Sequence, residues 1–396
     1  MTTFGKHLLG EWMLDPAITY LNHGTVGAPP RRILAAQQAI RDEIERQPAK
    51  FVLRELAETG PQQRSVPTHM RAAIAPIAEF VGVNADDLVF VDNITAGANA
   101  VLRSFPFAAG DEIVTTNLGY GGITNTVSYV ATASGATHRV IDLPAPGAVP
   151  SAFTQAVADG ISDATRMIVI DHLTAGTALV LPIADIVQVC HQRGVLVFVD
   201  GAHAPGAIPL DIAAIGADWY SANLHKWLFT PRSLGLLWTA PQHQHLLHSP
   251  IISWGLGNGI AAEFDAGGTR DPSPALCAPA ALALLQEWGV DNVMGHNHEL
   301  AWQAGLMLSE MWGVSLNTPR AMIGPMVTLT LPPRFGSSVA ESQNVRDYLL
   351  FERDIEVAMG VNPTSHGGGV NLRVSAQIYN DLSDVQRLGE AISSWK

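Results

Sequence analysis

Residues 166–173, RMIVIDHL, and 194–203, GVLVFVDGAH, each run through apolar, mostly β-branched positions and end on an aspartate with a histidine close behind. Runs with no polar alternation fit strands buried on both faces. Similar runs recur upstream at LVFVDN (88–93) and DEIVTTN (111–117), and downstream at SLGLLWT (233–239). Helix-like segments lie between them, such as TAGANAVLRSF (95–105) and PIADIVQVCHQRG (182–194). Strands separated by helices predict βαβ units and a mostly parallel sheet flanked by helices. Ligands of such sheets bind beyond the carboxyl ends of the strands. The polar residues ending these runs, Asn93, Asp171, His172, Asp200 and His203, are therefore expected at a ligand site.

Outward from this region the pattern changes. The stretch to about Asn22 reads as a terminal arm, and Arg31 to Glu58 as a polar amphipathic stretch with Ile33, Ile40, Ile44 and Phe51 at helical spacing. After about residue 275, PALCAPAALALLQEWG reads as a helix, MVTLTLP and VNLRVSAQIYN as short strands, and NDLSDVQRLGEAISSW as a terminal helix capped by Asn380, Asp381 or Ser383. The expected class is α/β: a large ligand-binding domain over residues 20–275, with a smaller α+β domain formed by residues 276–396 and joined by the N-terminal arm, 1–19.

Composition narrows the function. Hydrophobic residues make up 47% of the 396 and charged residues 15%, which suits a large buried sheet or an oligomer. A net charge of −13 without a basic patch argues against nucleic-acid binding. Two cysteines, Cys190 and Cys277, make no disulfide framework, no apolar run approaches a membrane span, and the N-terminus lacks an apolar signal core. A cytoplasmic protein is expected.

Only four lysines occur: Lys6, Lys50, Lys226 and Lys396. Lys226, in SANLHKWLF, sits between a histidine and a tryptophan. Partial desolvation there would lower its pKa and free the amine as nucleophile and base; the plainer alternative is a lysine stem lying along Trp227. Asp200, 26 positions earlier, closes a strand. A carboxylate at that place suits the pyridine nitrogen of pyridoxal phosphate, whose protonation makes the ring an electron sink; alone it could equally be a cap or a structural ion pair. Thr95, Ala96 and Gly97 open a helix after a strand, where free N–H groups favour a phosphate, although Asn-x-Thr in that position is also an ordinary cap.

Together LNHGTVGAPP, DNITAGAN, DHLTAGTALVLPI, VDGAHAPG, NLHKWL, GGTRDPSPAL and NLRVSAQIYN resemble the class V aminotransferase-fold enzymes that use pyridoxal 5′-phosphate (PLP), and most of all the isopenicillin N epimerase-like branch. The resemblance spans nearly the whole chain, in the family's order and spacing. It implies that Lys226 carries the cofactor as a Schiff base and acts as its base, that Asp200 pairs with the pyridine nitrogen, and that His203 approaches the ring hydroxyl. Thr95 and Ala96 would hold the phosphate, with Asn223 and His225 beside it. Tyr120 matches the residue stacked on the ring, and His172 is a further candidate at it. Thr269 matches a residue reaching the neighbouring protomer's phosphate, which implies a homodimer with shared sites. Arg373 matches the clamp for the substrate α-carboxylate, and Asn22 and His23 the segment closing over the substrate. Where many relatives have Asn or Ser, this chain has Ala175, so His172, Thr174 or His203 must serve the ring oxygen.

The resemblance implies an amino-acid substrate and epimerisation at Cα. β-Elimination from a cysteine S-conjugate is the alternative, because it needs only Lys226 and a leaving group, and transamination ranks third. For epimerisation a second proton carrier is needed, with water, Tyr120 or His366 as candidates. The loop GVNPTSHGGGVNLR holds no cysteine, so a persulfide-forming cysteine desulfurase is not expected. A metal-dependent hydrolase built on Asp171, His172, Asp200, His203 and His225 is the rival from another class, although their spacing fits no familiar ligand signature. The expected metal content is none.

Overall fold

The computed structural model describes residues 3–58 and 66–395. Helices α1 (Arg31–Arg46) and α2 (His69–Phe80) precede the main sheet. Pro48 follows α1 and begins a separate turn, so the amphipathic stretch is not one helix to Glu58. The main sheet has seven strands: β1 (Leu88–Val91), β2 (Glu112–Thr116), β3 (Thr137–Ile141), β4 (Thr165–Asp171), β5 (Leu196–Asp200), β6 (Trp219–Asn223) and β7 (Gly235–Thr239). Their spatial order is β1-β7-β6-β5-β4-β2-β3. Only β7 runs against its neighbours, β6 and β1; the other pairings are parallel, as the uninterrupted apolar runs predict.

Helices α3 (Ile94–Ser104), α4 (Gly121–Ser134) and α5 (Ile183–His191) are crossovers between strands. One buried layer against the sheet includes Val89, Ala98, Val127 and Phe198; the other includes Val114, Ile170, Val197 and Leu236. The sheet is thus buried on both faces, and its strand ends are the places left for polar chemistry. Gly97 lets α3 lie close on β6: a Cβ there would fall 2.2 Å from the Ser221 hydroxyl.

Helix α6 (Ala278–Trp288) packs on α2, and its Leu282 and Leu285 belong to the main core. Helix α7 (Val290–Trp312), α8 (Val339–Arg353) and α9 (Leu382–Ser393) surround an antiparallel sheet of β8 (Met326–Thr330), β9 (Ala358–Val361) and β10 (Val370–Ser375), ordered β9-β10-β8. Their core includes Leu308, Val327, Leu372 and Leu388. Asp381 caps α9 in a capping box with Asp384, which selects one of the three cap candidates.

The N-terminal arm is stitched into this second layer. Thr19–Tyr20 pairs in parallel with Ile355–Glu356, and the Ser375 N–H donates to Leu21 O at 2.8 Å. That pairing delivers Asn22 to the mouth of the cleft described next. Among the described residues no helix is long and apolar enough to cross a membrane.

Candidate active site

The carboxyl ends of the strands open into a cleft of about 880 Å³, closed on its far side by residues 356–361 and by β10. Lys226 stands in it three residues after β6 ends, only 9% exposed. Its Nζ lies 3.1 Å from His203 Nε2. The Trp227 indole N–H donates to His203 Nδ1 at 3.3 Å, so a neutral ring carries its proton on Nε2. That proton needs an acceptor, and the acceptor in reach is the lone pair of an uncharged Lys226 amine.

The electrostatics agree. Burial, and then the Arg373 charge, lower Lys226 from 10.5 to about 7, against the opposing pull of Asp200 and Asp171. Burial, and then Lys226, push His203 well below the usual histidine range. Asp200 ends β5, 2% exposed, and burial raises it to about 6, opposed by the Ala202 N–H that donates to its Oδ1 at 2.9 Å. Its other oxygen, Oδ2, is buried with no hydrogen-bond partner. A buried carboxylate oxygen left open is a place for a donor, and the pyridinium N–H of PLP is a donor of the right kind.

At the phosphate end Asn93 caps α3, and three of its first four amides are taken. Asn223 Oδ1 accepts from Ile94 at 2.9 Å, Asn93 Oδ1 from Ala96 at 3.0 Å, and Asn93 O from Gly97. Thr95, whose amide and hydroxyl have no partner among the described residues, lines the cleft, as do Asn223 and His225. His225 Nδ1 donates to Leu234 O at 2.9 Å, leaving Nε2 as an acceptor in the neutral ring, and burial lowers the group to about 4. These residues fit PLP: an amine for the aldehyde, a carboxylate for the ring nitrogen, and a helix start for the phosphate.

The substrate end is equally built. Arg373, 6% exposed, donates to Ala175 O at 2.6 Å and to Thr25 Oγ1 at 2.7 Å, and its Nε is buried without a partner. Asn22 lines the cleft beside it, and Tyr120, half exposed, lines the cleft as well.

Four expected residues stand elsewhere. His172 lies outside the cleft, its Nδ1 2.9 Å from Tyr220 OH, because successive side chains at a strand end point to opposite sides. Its neighbour Asp171 takes the inward place instead. Ala96 spends its N–H on the cap. His23 is fully buried between Tyr379 OH, 3.0 Å away, and Lys226 O, to which it donates at 2.9 Å, so it supports the lysine backbone and does not face the substrate. Thr269 does not line the cleft.

Asp171, which the sequence marks as a strand end and no more, also lines the cleft. It is paired in register with Asp200, and burial, then the Asp200 charge, raise it well above the usual carboxylate range. The phase of β4 was the available signal. Arg232, a charge in the apolar run LFTPRSLGLL, also lines the cleft, as does Glu356, which no local pattern marks. Of the three substitutes for a polar residue at 175, Thr174 is engaged with Thr177 and the Leu179 N–H and His172 faces away, which leaves His203. Nor do any three His, Cys, Asp or Glu among the described residues form a metal-ligand group.

The carboxyl edge of this α/β sheet thus holds a buried lysine facing a polar cleft. The model for class V aminotransferases matches residues 38–388, and the chain belongs to that family, whose cofactor is pyridoxal 5′-phosphate. It is 33% identical to a probable chloroplastic L-cysteine desulfhydrase of Arabidopsis thaliana, over 96% of this chain and 83% of the relative. It is 30% identical to isopenicillin N epimerase of Streptomyces clavuligerus, over 97% and 96%. The apo structure of a cysteine desulfurase from Thermococcus onnurineus NA1 shares the fold, with a TM-score of 0.80 at 18% identity and coverage of 99% and 98%.

These relatives overturn the exclusion of desulfurase-type activity drawn from the cysteine-free loop. The physical reason is that a missing thiol removes one nucleophile only. Breaking a substrate C–S bond asks for a base at Cα and a thiolate leaving group, and neither requires a protein cysteine.

Proposed function

We propose that this PLP-dependent class V enzyme is a C–S lyase that eliminates a thiol from L-cysteine or a cysteine S-conjugate. The observation that carries the reading is the Trp227–His203–Lys226 chain, which positions one buried amine in the cleft at the carboxyl edge of the sheet. Lys226 would hold the cofactor, Asp200 its ring nitrogen, His203 its ring hydroxyl, and Thr95, Asn223 and His225 its phosphate, with Tyr120 against the ring. Bound PLP supplies an electron sink that weakens a bond at the substrate Cα. Arg373 fixes the substrate α-carboxylate, with its unpartnered Nε available for the second contact. Lys226 then takes the Cα proton, the Cβ–S bond breaks, and the sulfur leaves with the electron pair. The three-carbon fragment hydrolyses to pyruvate and ammonia. The relatives named as L-cysteine desulfhydrases support this reading.

Epimerisation at Cα is the second reading, supported by the epimerase relatives and by Tyr120, which lines the cleft. His366 is the weaker second proton carrier, because its Nε2 donates to Leu143 O at 2.8 Å. We also assign the protein to the cytoplasm and to a homodimer in which Thr269 serves the partner's site. Support for the dimer comes from Thr269 lying away from its own cleft and from the exposed segment holding Ile251, Ile252 and Trp254, the last 84% exposed.

The test begins with the absorption spectrum of the purified protein with PLP, borohydride reduction and a peptide map, which should trap the cofactor on Lys226. L-Cysteine in deuterated water then separates the reactions. Sulfide and pyruvate mean elimination; deuterium together with the D-enantiomer in the recovered amino acid, without sulfide, means epimerisation and would overturn the lyase reading.

A further inference from the structure

Glu356 is a carboxylate in the wall of the cleft, half-buried and, among the described residues, in no ion pair. Its backbone is held by the pairing of Tyr20 with Glu356 and by the Leu21 N–H that donates to its carbonyl at 2.9 Å. One side-chain oxygen accepts from Asn22 Nδ2 at 2.7 Å. The amide of Asn22 faces the other way as well, since its Oδ1 accepts from Arg373 Nη2 at 3.4 Å. Carboxylate and guanidinium therefore stand on either side of one amide. Arg346, also in the wall, is already paired with Asp347 at 2.8 Å, and Arg232 donates to Gly27 O. The Asn22 amide occupies one carboxylate oxygen, which leaves the other free to meet a charged group of a ligand.

We propose that Glu356 recognises a positively charged nitrogen at the far end of the substrate side chain, so that the enzyme selects cysteine S-conjugates carrying a second amino group beyond the sulfur. The inference rests on the reading of this cleft as the substrate site of a C–S lyase. Arg373 takes the α-carboxylate, Glu356 takes the distal cation, and Asn22 between them keeps the two charges apart and in order. An anionic side chain would meet like charge at the same place, so the site selects by repulsion as well as attraction.

Three probes of similar length test it on the PLP-loaded enzyme: S-(2-aminoethyl)-L-cysteine, S-propyl-L-cysteine and S-carboxymethyl-L-cysteine. Kd is read from the change in the visible cofactor band, and pyruvate release is followed separately. The cationic probe should bind at least about tenfold more tightly than the anionic one, as one near charge contact at intermediate dielectric supplies. Glu356→Gln should bring the three within about twofold of one another, and Glu356→Lys should invert the order. Equal binding of all three to the parent enzyme overturns the proposal and needs no variant to fold. Preserved ratios in Glu356→Gln overturn it too, since the carboxylate would then only brace Asn22 and Arg373. Binding in the expected order without pyruvate would instead count against the lyase reading and leave the role of Glu356 standing.

Discussion

Replacing Lys226 by Met in the cofactor-free protein should remove a pH dependence of folding stability that the wild-type chain carries. The lysine is charged up to 10.5 when unfolded but only up to about 7 in the fold. Between those values the unfolded chain binds one more proton than the native one, so stability falls as pH drops through the window and is fully recovered above it. The slope is about 1.4 kcal/mol per pH unit, hence roughly 3 kcal/mol between about pH 7 and 9, with no further change from this residue at lower pH. The group is almost entirely buried, so solvent screening does little to reduce that figure. Denaturant unfolding of both proteins across the range is the assay, and the difference between their stabilities isolates Lys226 from the other titrating groups. A difference that grows with pH, in favour of wild type, is expected. Parallel curves would refute the claim that burial and Arg373 discharge this amine, and with it the tautomer assigned to His203.

Arg373→Ala should raise KM for α-amino acids about ten- to a hundredfold, the size of a lost charge-assisted contact; an unchanged ratio of KM values between amino acids and their amides would remove it as the carboxylate clamp. Gly27→Ala should disturb the lysine loop, because Gly27 has φ +65° and a Cβ there would fall 1.8 Å from His225 O. Its expected signature is weakened PLP retention on dialysis, and wild-type retention would show that the loop yields without cost.

Much of this protein is local enough to be read from its sequence. The apolar runs are β-branched and unbroken because the sheet is covered on both faces, so β1, β2, β4, β5 and β7 are legible, whereas β6, with the sequence WYSAN, carries no such run and goes unread. Asn93 ahead of Ile94 is a cap with a short-range cause, and the structure bears it out. Phase is harder: whether Asp171 or His172 turns inward depends on the residue at which β4 stops, and the two choices swap an acid for an imidazole. Tertiary structure alone joins Asn22 to Glu356 across 334 positions, and Arg373 to Thr25 across 348. It also buries His23 behind the lysine it was expected to accompany at the substrate. Such contacts arise where the arm is pinned between two layers, and no periodicity within either segment records which side chains will face each other once the layers close.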